Sequence, residues 1–137
     1  MLLNDDMTHS LARDGLTVSR AHLLWELHHR GPTTQRGLAD ALDVSARNIT
    51  GLVDALAGTG FVTREPHPTD RRATLVTFTR HGEATARAME RDQQEFARLL
   101  FDGMPAQRFD CFARGLDDVL ARLREGSLAA APEVSRD

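Results

Sequence analysis

The sequence predicts a mainly α-helical fold: a winged helix-turn-helix with a two-stranded β wing, flanked by helices on both sides. Three observations support this prediction. Two amphipathic helical segments are separated only by "DVS", which is the spacing of a helix-turn-helix. Two runs of β-branched and aromatic residues follow and flank the short loop "PHPTDRR". Helical periodicity then continues from residue 80 to about residue 125.

The first amphipathic helix contains "RAHLLWELHHR", in which Leu23, Leu24 and Leu27 form an apolar stripe. Ser19 stands just before it and has the residue type that caps helix N-termini. The pair Gly31-Pro32 is predicted to end this helix. The preceding residues, 1–18, are expected to form a short N-terminal helical arm.

The helix-turn-helix consists of "QRGLADAL" and "ARNITGLVDALAGTG". Thr34 and Ser45 are the predicted N-caps, and Gly58 and Gly60 end the second helix. Spacing of three and four residues marks the apolar face of each helix. The residues expected to face inward are Leu38, Ala39 and Leu42 in the first helix, and Ile49, Leu52, Val53 and Leu56 in the second.

The wing is predicted from "GFVTRE" and "ATLVTFT", so the winged domain spans residues 19–79. Thr79 can cap a long helix from Arg80 to about Phe101, and Pro105 can open the last helix. Residues 80–125 are predicted to be dimerisation helices, and residues 126–137 a flexible tail. The last helix has the a/d spacing of a helix that packs along another helix, with apolar positions at Phe109, Phe112, Leu116, Val119 and Leu123.

The formal net charge is −3, but the charge is unevenly distributed. Residues 30–80 contain seven arginines and five acidic residues, a balance of +2, so the remainder carries −5. A locally basic module on an acidic body is expected of a protein that meets phosphate on one face. The single cysteine argues for a reducing compartment, and neither a membrane span nor a signal peptide is recognisable. We therefore expect a cytoplasmic protein with no membrane partner.

The second helix of the helix-turn-helix has a polar outer face. At about 100° per residue, the side opposite its apolar stripe carries Arg47, Thr50, Gly51 and Asp54. In a major groove, Arg47 can make a bidentate contact with the edge of a guanine, and Thr50 can contact a base or a thymine methyl group. Asp54 can accept from a cytosine amino group or orient Arg47. Ser45 and Ala46, in the first turn, favour phosphate. The alternative interpretation is an ordinary solvated helix face.

The wing loop is stiff and cationic. Pro66 and Pro68 fix the backbone, and Arg71 and Arg72 are expected to point in opposite directions, as neighbours in an extended strand do. Asp70 is expected to act as a bidentate acceptor that aims one of the two guanidinium groups. An arginine held in this way suits a narrow minor groove. The alternative is an exposed polar turn with a weak ion pair.

The segment "LADALDVSARNITGLVDALAGTGFVTREPHPTDRRATLVTFTRHG" resembles the multiple antibiotic resistance regulator (MarR) family of bacterial transcription factors. Asp70-Arg71-Arg72 is followed by Val76, Phe78-Thr79 and Gly82 at the family's spacing, and the similarity extends from Leu16 to about Glu83. The resemblance implies a homodimeric repressor that binds a pseudo-palindromic double-stranded DNA operator. Recognition helices would enter successive major grooves and wings the minor groove. Many members release DNA when a small aromatic or anionic effector binds.

Carried over to this chain, the resemblance implies that Arg47 and Thr50 read bases. It also implies that Arg71, or Arg72 in its place, enters the minor groove while Asp70 holds the wing arginine. The expected contacts to the DNA backbone are Thr34, Gln35, Ser45 and Arg64. The chain departs from the family in its short first helix, so the stripe from Phe109 to Leu123 would have to carry more of the dimer interface.

An effector site is expected around Trp25, with His22, His28 and Met89 as its other candidates, although a tryptophan can equally fill a core. His22, Glu26 and His29 share one helix face, but packing is favoured over a metal site there. Cys111 has aromatic and acidic neighbours and is interpreted as inert packing rather than an oxidant sensor.

No arrangement typical of an enzyme is recognisable, so we expect neither catalysis nor a cofactor or metal. The rival interpretation is a winged-helix module that binds another protein and no DNA. The short first helix and the net acidity permit that rival.

Overall fold

A computed structural model describes residues 15–129, with side chains described to residue 126. It consists of α1 (Val18–Arg30), β1 (Thr33–Thr34), α2 (Gln35–Leu42), α3 (Ala46–Gly58), β2 (Val62–Pro66), β3 (Thr74–Phe78), α4 (Arg80–Phe101) and α5 (Ala106–Ala129). The chain divides into an N-terminal unit, up to residue 93, and a C-terminal unit from residue 94, and α4 runs through the division. Most of the predicted N-terminal arm lies outside the described residues.

The core of the N-terminal unit is formed by one apolar face from each of its first three helices. Burial of one leucine side chain stabilises the fold by about 1.5–3 kcal/mol, so these faces fix how α3 is rotated. Its outer side is therefore left in solvent. The core side chains are Leu23, Leu24 and Leu27 of α1, Leu38 and Ala39 of α2, Ile49, Val53 and Leu56 of α3, and Phe61, Val62 and Val76 of the hairpin. Leu42 and Leu52 pack at its margin. The predicted inward faces are confirmed.

Three of the four predicted N-caps are confirmed. The hydroxyls of Thr34, Ser45 and Thr79 accept hydrogen bonds from the backbone N–H groups of Gly37 (3.1 Å), Asn48 (3.1 Å) and Gly82 (3.0 Å). The prediction that Ser19 caps α1 is wrong. Thr17 is the cap, and its hydroxyl accepts from the N–H of Arg20 at 3.3 Å. Leu16 is buried, so the chain is anchored earlier and Ser19 falls inside the first turn.

The helix ends follow the predicted breakers, with one exception. Helix α1 ends at Arg30, where Gly31 takes a φ of 76°, and α3 ends at Gly58. Helix α4 has the predicted bounds, and α5 begins directly after Pro105. However, α5 continues to Ala129, so the predicted tail at residues 126–137 begins as helix. Residues 130–137 lie outside the described residues.

The sheet contains one strand that the sequence did not predict. Strands β2 and β3 form the predicted antiparallel hairpin, from the pair Val62 and Phe78 to the pair Pro66 and Thr74. Strand β1 pairs with the other edge of β3, so the order is β1-β3-β2. A two-residue strand is too short to show alternation of apolar and polar residues. Its effect is to tie the start of α2 to the hairpin.

The C-terminal unit leaves its apolar stripe in solvent. The five stripe residues of α5, from Phe109 to Leu123, are 41% to 61% exposed in the single chain. Phe101 contacts only one end of the stripe, with ring centroids 5.1 Å from Phe109 and 5.8 Å from Phe112.

Among the described helices, none combines the length and apolarity that a bilayer crossing requires.

Candidate nucleic-acid interface

The outer face of α3 presents the side chains that helical periodicity predicts. Arg47, Thr50, Gly51 and Asp54 are all exposed. Ser45, Arg47, Asn48, Gly51 and Leu52 line an open depression on this face. Beyond the adjoining residues and backbone of its own helix, a β-carbon added at residue 51 would meet no atom within 4 Å, so glycine leaves free space there. A base edge can therefore approach the α3 backbone closely at this point.

A side-chain network connects this face to α2 and to the wing. The Gln35 carbonyl oxygen accepts from Nε of Arg64 at 2.9 Å, and the Gln35 amide donates to Oγ1 of Thr50 at 3.2 Å. Nη2 of Arg64 donates to Oδ1 of Asp54 at 2.5 Å. The start of α2, the outer face of α3 and strand β2 are thus held in one arrangement. We call Gln35, Thr50, Asp54 and Arg64 the bridging network.

The bridging network overturns one of the two roles predicted for Asp54, the orientation of Arg47. Asp54 was expected to orient Arg47 or to meet a cytosine, but its carboxylate pairs with Arg64. Sequence spacing favoured Arg47 as its partner because the two residues share one helix face, whereas β2 brings Arg64 from outside the helix. Both ends of the Gln35 amide are also engaged within the protein. In the described part of the chain, no ion pair involves Arg47, so its charge faces solvent.

The wing tip is organised by a histidine for which the sequence predicted no role. Nδ1 of His67 accepts from the backbone N–H groups of Thr69 and Asp70, at 3.2 Å and 3.1 Å. The N–H of His67 itself donates to the carbonyl of Ala73 at 3.1 Å. The loop that presents Arg71 is therefore closed by hydrogen bonds to the ring and the backbone of His67.

The predicted pairing of Asp70 with a wing guanidinium is wrong in the free chain. Oδ1 of Asp70 accepts from the backbone N–H of Arg72 at 2.9 Å, and no ion pair within residues 15–126 joins it to either arginine. An aspartate readily bonds the N–H two residues ahead, which here outcompetes an exposed ion pair. Arg71 and Arg72 lie in a turn rather than a strand, so strand alternation does not orient them. Both side chains are exposed.

The structure joins three of the predicted interface residues, Gln35, Thr50 and Arg64, in the bridging network. Thr34 and Ser45 are engaged as helix caps, and Ala46 is exposed in the first turn of α3. Two residues were missed. Asn48 is exposed beside Arg47, at a position that lies off the centre of the outer face. His67 gave no signal because its acceptor role depends on the folded loop.

The effector candidates are partly assembled. His28 bonds Glu90 of α4, with Nε2 and Oε2 3.0 Å apart, and Trp25 lies 6.5 Å from the His28 ring between centroids. Met89 packs at the margin of the core. His22, by contrast, is exposed on α1. The other three candidates therefore lie on α1 and on the middle of α4, which the bond between His28 and Glu90 joins.

The sequence favoured neither a metal site at His22, Glu26 and His29 nor an oxidant sensor at Cys111. Glu26 pairs with Arg30, and Nδ1 of His29 lies 2.9 Å from the Trp25 carbonyl. No cluster of metal-ligating side chains occurs within the described residues. The interpretation of Cys111 as packed is wrong for the single chain, where the thiol is exposed on α5.

Comparisons with known proteins agree on one family. A sequence model of the MarR family matches residues 16–74. The HTH-type transcriptional regulator ML2140 of Mycobacterium leprae is 35% identical over 110 residues, which is 80% of this chain and 77% of that protein. The HTH-type transcriptional repressor YetL of Bacillus subtilis is 29% identical, over 88% of this chain and 74% of its own length. The match spans 65% of the length of the regulator YdgJ of Bacillus subtilis and 48% of the length of BadR of Rhodopseudomonas palustris.

Solved structures share the fold. Streptococcus pneumoniae FabT, whose structure was determined in complex with DNA, superposes with a TM-score of 0.74 over 90% of this chain and 94% of FabT. The two sequences are only 17% identical. The winged helix-turn-helix architecture predicted from the sequence is therefore confirmed.

Proposed function

The chain belongs to the MarR family of transcriptional regulators, and we propose that it acts as a homodimeric, sequence-specific DNA-binding repressor of nearby genes. The observation that carries this proposal is the bridging network. It joins the exposed face of α3 to the wing strand through the contacts of Arg64 with Gln35 and Asp54. A recognition helix and a wing held in one arrangement can enter two grooves of one duplex without reorganising.

The outer face of α3 is suited to a major groove. Arg47 presents a guanidinium with no ion pair among the described residues, and such a fork matches the O6 and N7 acceptors of guanine. The side-chain amide of Asn48 can bind the N6 and N7 atoms of adenine. Gly51 leaves the room that close docking needs. The first turn of α3, with Ser45 and Ala46, offers N–H groups and a positive dipole end to phosphate.

The wing is suited to the minor groove. Arg71 is exposed at the tip of a loop that His67 closes from within. A narrow minor groove has a strongly negative potential, which favours an inserted arginine. Arg72, whose backbone is held by Asp70, is then placed for a phosphate. Thr34 and Arg64 are proposed to contact the DNA backbone beside the α3 face.

The apolar surface of the C-terminal unit is suited to a second copy of the chain. Its exposed large apolar side chains are Phe96, Leu99, Leu100, Met104, Phe109, Phe112, Leu116, Val119, Leu120 and Leu123. Exposed apolar surface, when it extends over many large side chains, marks an interaction site. Two subunits related by a twofold axis would read a pseudo-palindromic operator with half-sites about 10 base pairs apart. Such a regulator would work in the cytoplasm, beside the chromosome.

We further propose that Trp25, His28 and Met89 contribute to a site for a small aromatic or anionic effector, with His22 at its outer edge. The supporting observation is the bond between His28 and Glu90, which joins α1 to the middle of α4. A ligand that competes for His28 would act on the connection between the winged domain and α4. Thermal-shift screening of aromatic acids, with the His28→Ala variant as control, tests this part separately.

The DNA-binding function is tested by a gel-shift experiment on the chain's own upstream region, at low and moderate salt, with competitor DNA. We expect a shifted complex that resists competitor and weakens steeply as salt rises. The variant Arg91→Ala, which removes an exposed arginine of α4 outside the interface, is the matched control. No shift at low salt, with the protein folded, would instead favour the module that binds protein alone.

A further inference from the structure

The bridging network has a defined hydrogen-bond direction. A guanidinium group only donates, so the Gln35 atom that faces Arg64 at 2.9 Å must be the carbonyl oxygen. The amide nitrogen of Gln35 therefore faces Oγ1 of Thr50, at 3.2 Å, and donates to it. Because Thr50 accepts this bond, its own proton is free to point to the carbonyl of Ala46, which lies 2.8 Å away.

This direction determines what Thr50 can offer to a base. Its hydroxyl donates its proton to the carbonyl of Ala46, and one lone pair of the hydroxyl oxygen accepts from the amide of Gln35. The exposed side chain retains its methyl group and one acceptor lone pair. In the major groove, guanine N7 and O6 and thymine O4 need a donor, which this hydroxyl no longer has. Adenine N6 and cytosine N4 are donors to the remaining lone pair, and only the A·T pair also has a methyl group that can pack against the threonine methyl.

We propose that Gln35 and Arg64 are positioning residues that set the hydrogen-bonding state of Thr50, and through it select an A·T base pair at the position that Thr50 reads. This inference rests on the proposed function, since it presumes that α3 enters a major groove. Arg64 orients the side-chain amide of Gln35, and this amide orients the hydroxyl of Thr50. Asp54 accepts from Nη2 of Arg64 at 2.5 Å and so holds the guanidinium group. None of the three supporting residues has to touch a base for this selection to operate.

The contribution of the network is orientation rather than stability. The side chains of Arg64 and Asp54 are 34% and 61% exposed, and ion pairs in such positions contribute little to folding. A purely structural role would change the unfolding midpoint or the overall affinity for DNA. It would not change which base is preferred at one position of the operator. Base preference is therefore the readout that separates the two roles.

The experiment uses the full chain and a randomised duplex pool. Selection with the wild-type protein first defines the operator, and selection with Thr50→Val identifies the base pair that Thr50 reads. Gln35→Glu keeps an acceptor for Arg64 but removes the donor to Thr50, and Gln35→Met removes both. We expect each to reduce the preference for A·T at that pair by about three- to tenfold, the effect of one hydrogen bond. Preferences at other positions should persist.

The matched control is Arg36→Met, which removes an exposed arginine of α2 next to Gln35. It can lower overall affinity but should leave the ranking of base pairs unchanged. Thermal unfolding shows whether each variant is folded, and Gln35→Glu remains informative if Gln35→Met is not. A selective wild-type protein whose ranking is unchanged by Gln35→Glu, or by Thr50→Val, would overturn the inference. A wild-type protein that enriches no sequence would instead overturn the proposed function.

Discussion

The carbonyl oxygen of Phe61 lies 1.8 Å from the position that a β-carbon of residue 82 would occupy. Gly82 is in the first turn of α4, and its lack of a side chain lets this helix start directly against the entry into β2. The same carbonyl accepts from the N–H of Thr79 at 3.1 Å, and the Thr79 hydroxyl donates to the carbonyl of Gly60 at 2.5 Å. This contact fixes where α4 leaves the winged domain.

Replacement of Gly82 by alanine should therefore destabilise the fold. Backbone cannot move aside as a flexible side chain can, so we expect a loss of about 3 kcal/mol or more in the free energy of unfolding. Urea denaturation measures this loss. Gly58→Ala is the matched control because a β-carbon there meets no atom within 4 Å, and it should be neutral or slightly stabilising. If Gly82→Ala and Gly58→Ala were equally stable, the close approach of the Phe61 carbonyl to residue 82 would be contradicted.

Replacement of Arg47 by alanine should change specificity more than stability. Loss of a bidentate contact to guanine removes about 1–3 kcal/mol of discrimination at one base pair in each half-site. Binding-site selection with the variant should show relaxed preference at that pair and retained preference elsewhere. Arg91→Ala provides the comparison for loss of a positive charge outside the interface. An unchanged ranking of operator sequences would show that Arg47 reads no base.

Replacement of Arg71 by alanine should weaken binding to all operator sequences alike. An arginine that neutralises one phosphate contributes about 0.9 to the slope of log affinity against log salt concentration. Fluorescence anisotropy across a salt series should therefore show a lower affinity and a shallower slope. Arg72→Ala, measured in parallel, identifies which of the two residues carries the larger effect. If neither slope differs from that of the wild type, the wing does not contact phosphate.

Replacement of Leu116 by glutamate should separate the subunits. The introduced charge lies in the centre of the exposed α5 stripe and would have to be buried unpaired in a dimer, which is strongly unfavourable. Sedimentation velocity should show a dimer for the wild type and a monomer for the variant, with reduced operator affinity. Arg114→Glu places the same side chain about 160° away on the helix and should remain dimeric. A dimeric Leu116→Glu protein would exclude the stripe as the interface.

Replacement of His67 by leucine should loosen the wing tip. Two exposed backbone N–H groups lose their acceptor, and since one hydrogen bond contributes about 0.5–1.5 kcal/mol, we expect affinity for the operator to fall by up to about tenfold. His67→Asn should restore part of the loss, because an asparagine side chain can accept from the N–H two residues ahead. Anisotropy at fixed salt measures both. Identical affinities for all three proteins would mean that the loop is not organised by His67.

The sequence predicted the helices, the hairpin and the outer face of α3 because these depend on short-range rules. Gly31 ends α1 since it takes a φ of 76°, which other residues rarely adopt. The positions of Ile49 and Val53 in the core leave Arg47 exposed by periodicity alone. Such short-range rules fail where two nearby residues could both serve as the N-cap of one helix. Thr17 and Ser19 are both good caps, and the buried Leu16 selects Thr17.

The partners of the polar side chains could not be predicted in the same way. Asp70 has two adjacent arginines, yet its carboxylate binds a backbone N–H that comes within reach only when the loop turns. Asp54 pairs with Arg64, which is ten residues away on another element. Asn48 and His67 have ordinary residue types and stand out only once their surroundings are known.

The amino-acid order by itself determined where each helix and strand lies, which faces are apolar, and which family the chain resembles. These properties follow from periodicity, capping and backbone preference, all of which act over a few residues. The folded structure alone decided which charges remain free, because pairing depends on atoms brought within about 3 Å of one another by distant elements. It leaves Arg47 and Arg71 without an ion pair among the described residues and commits Arg64 to the bridging network.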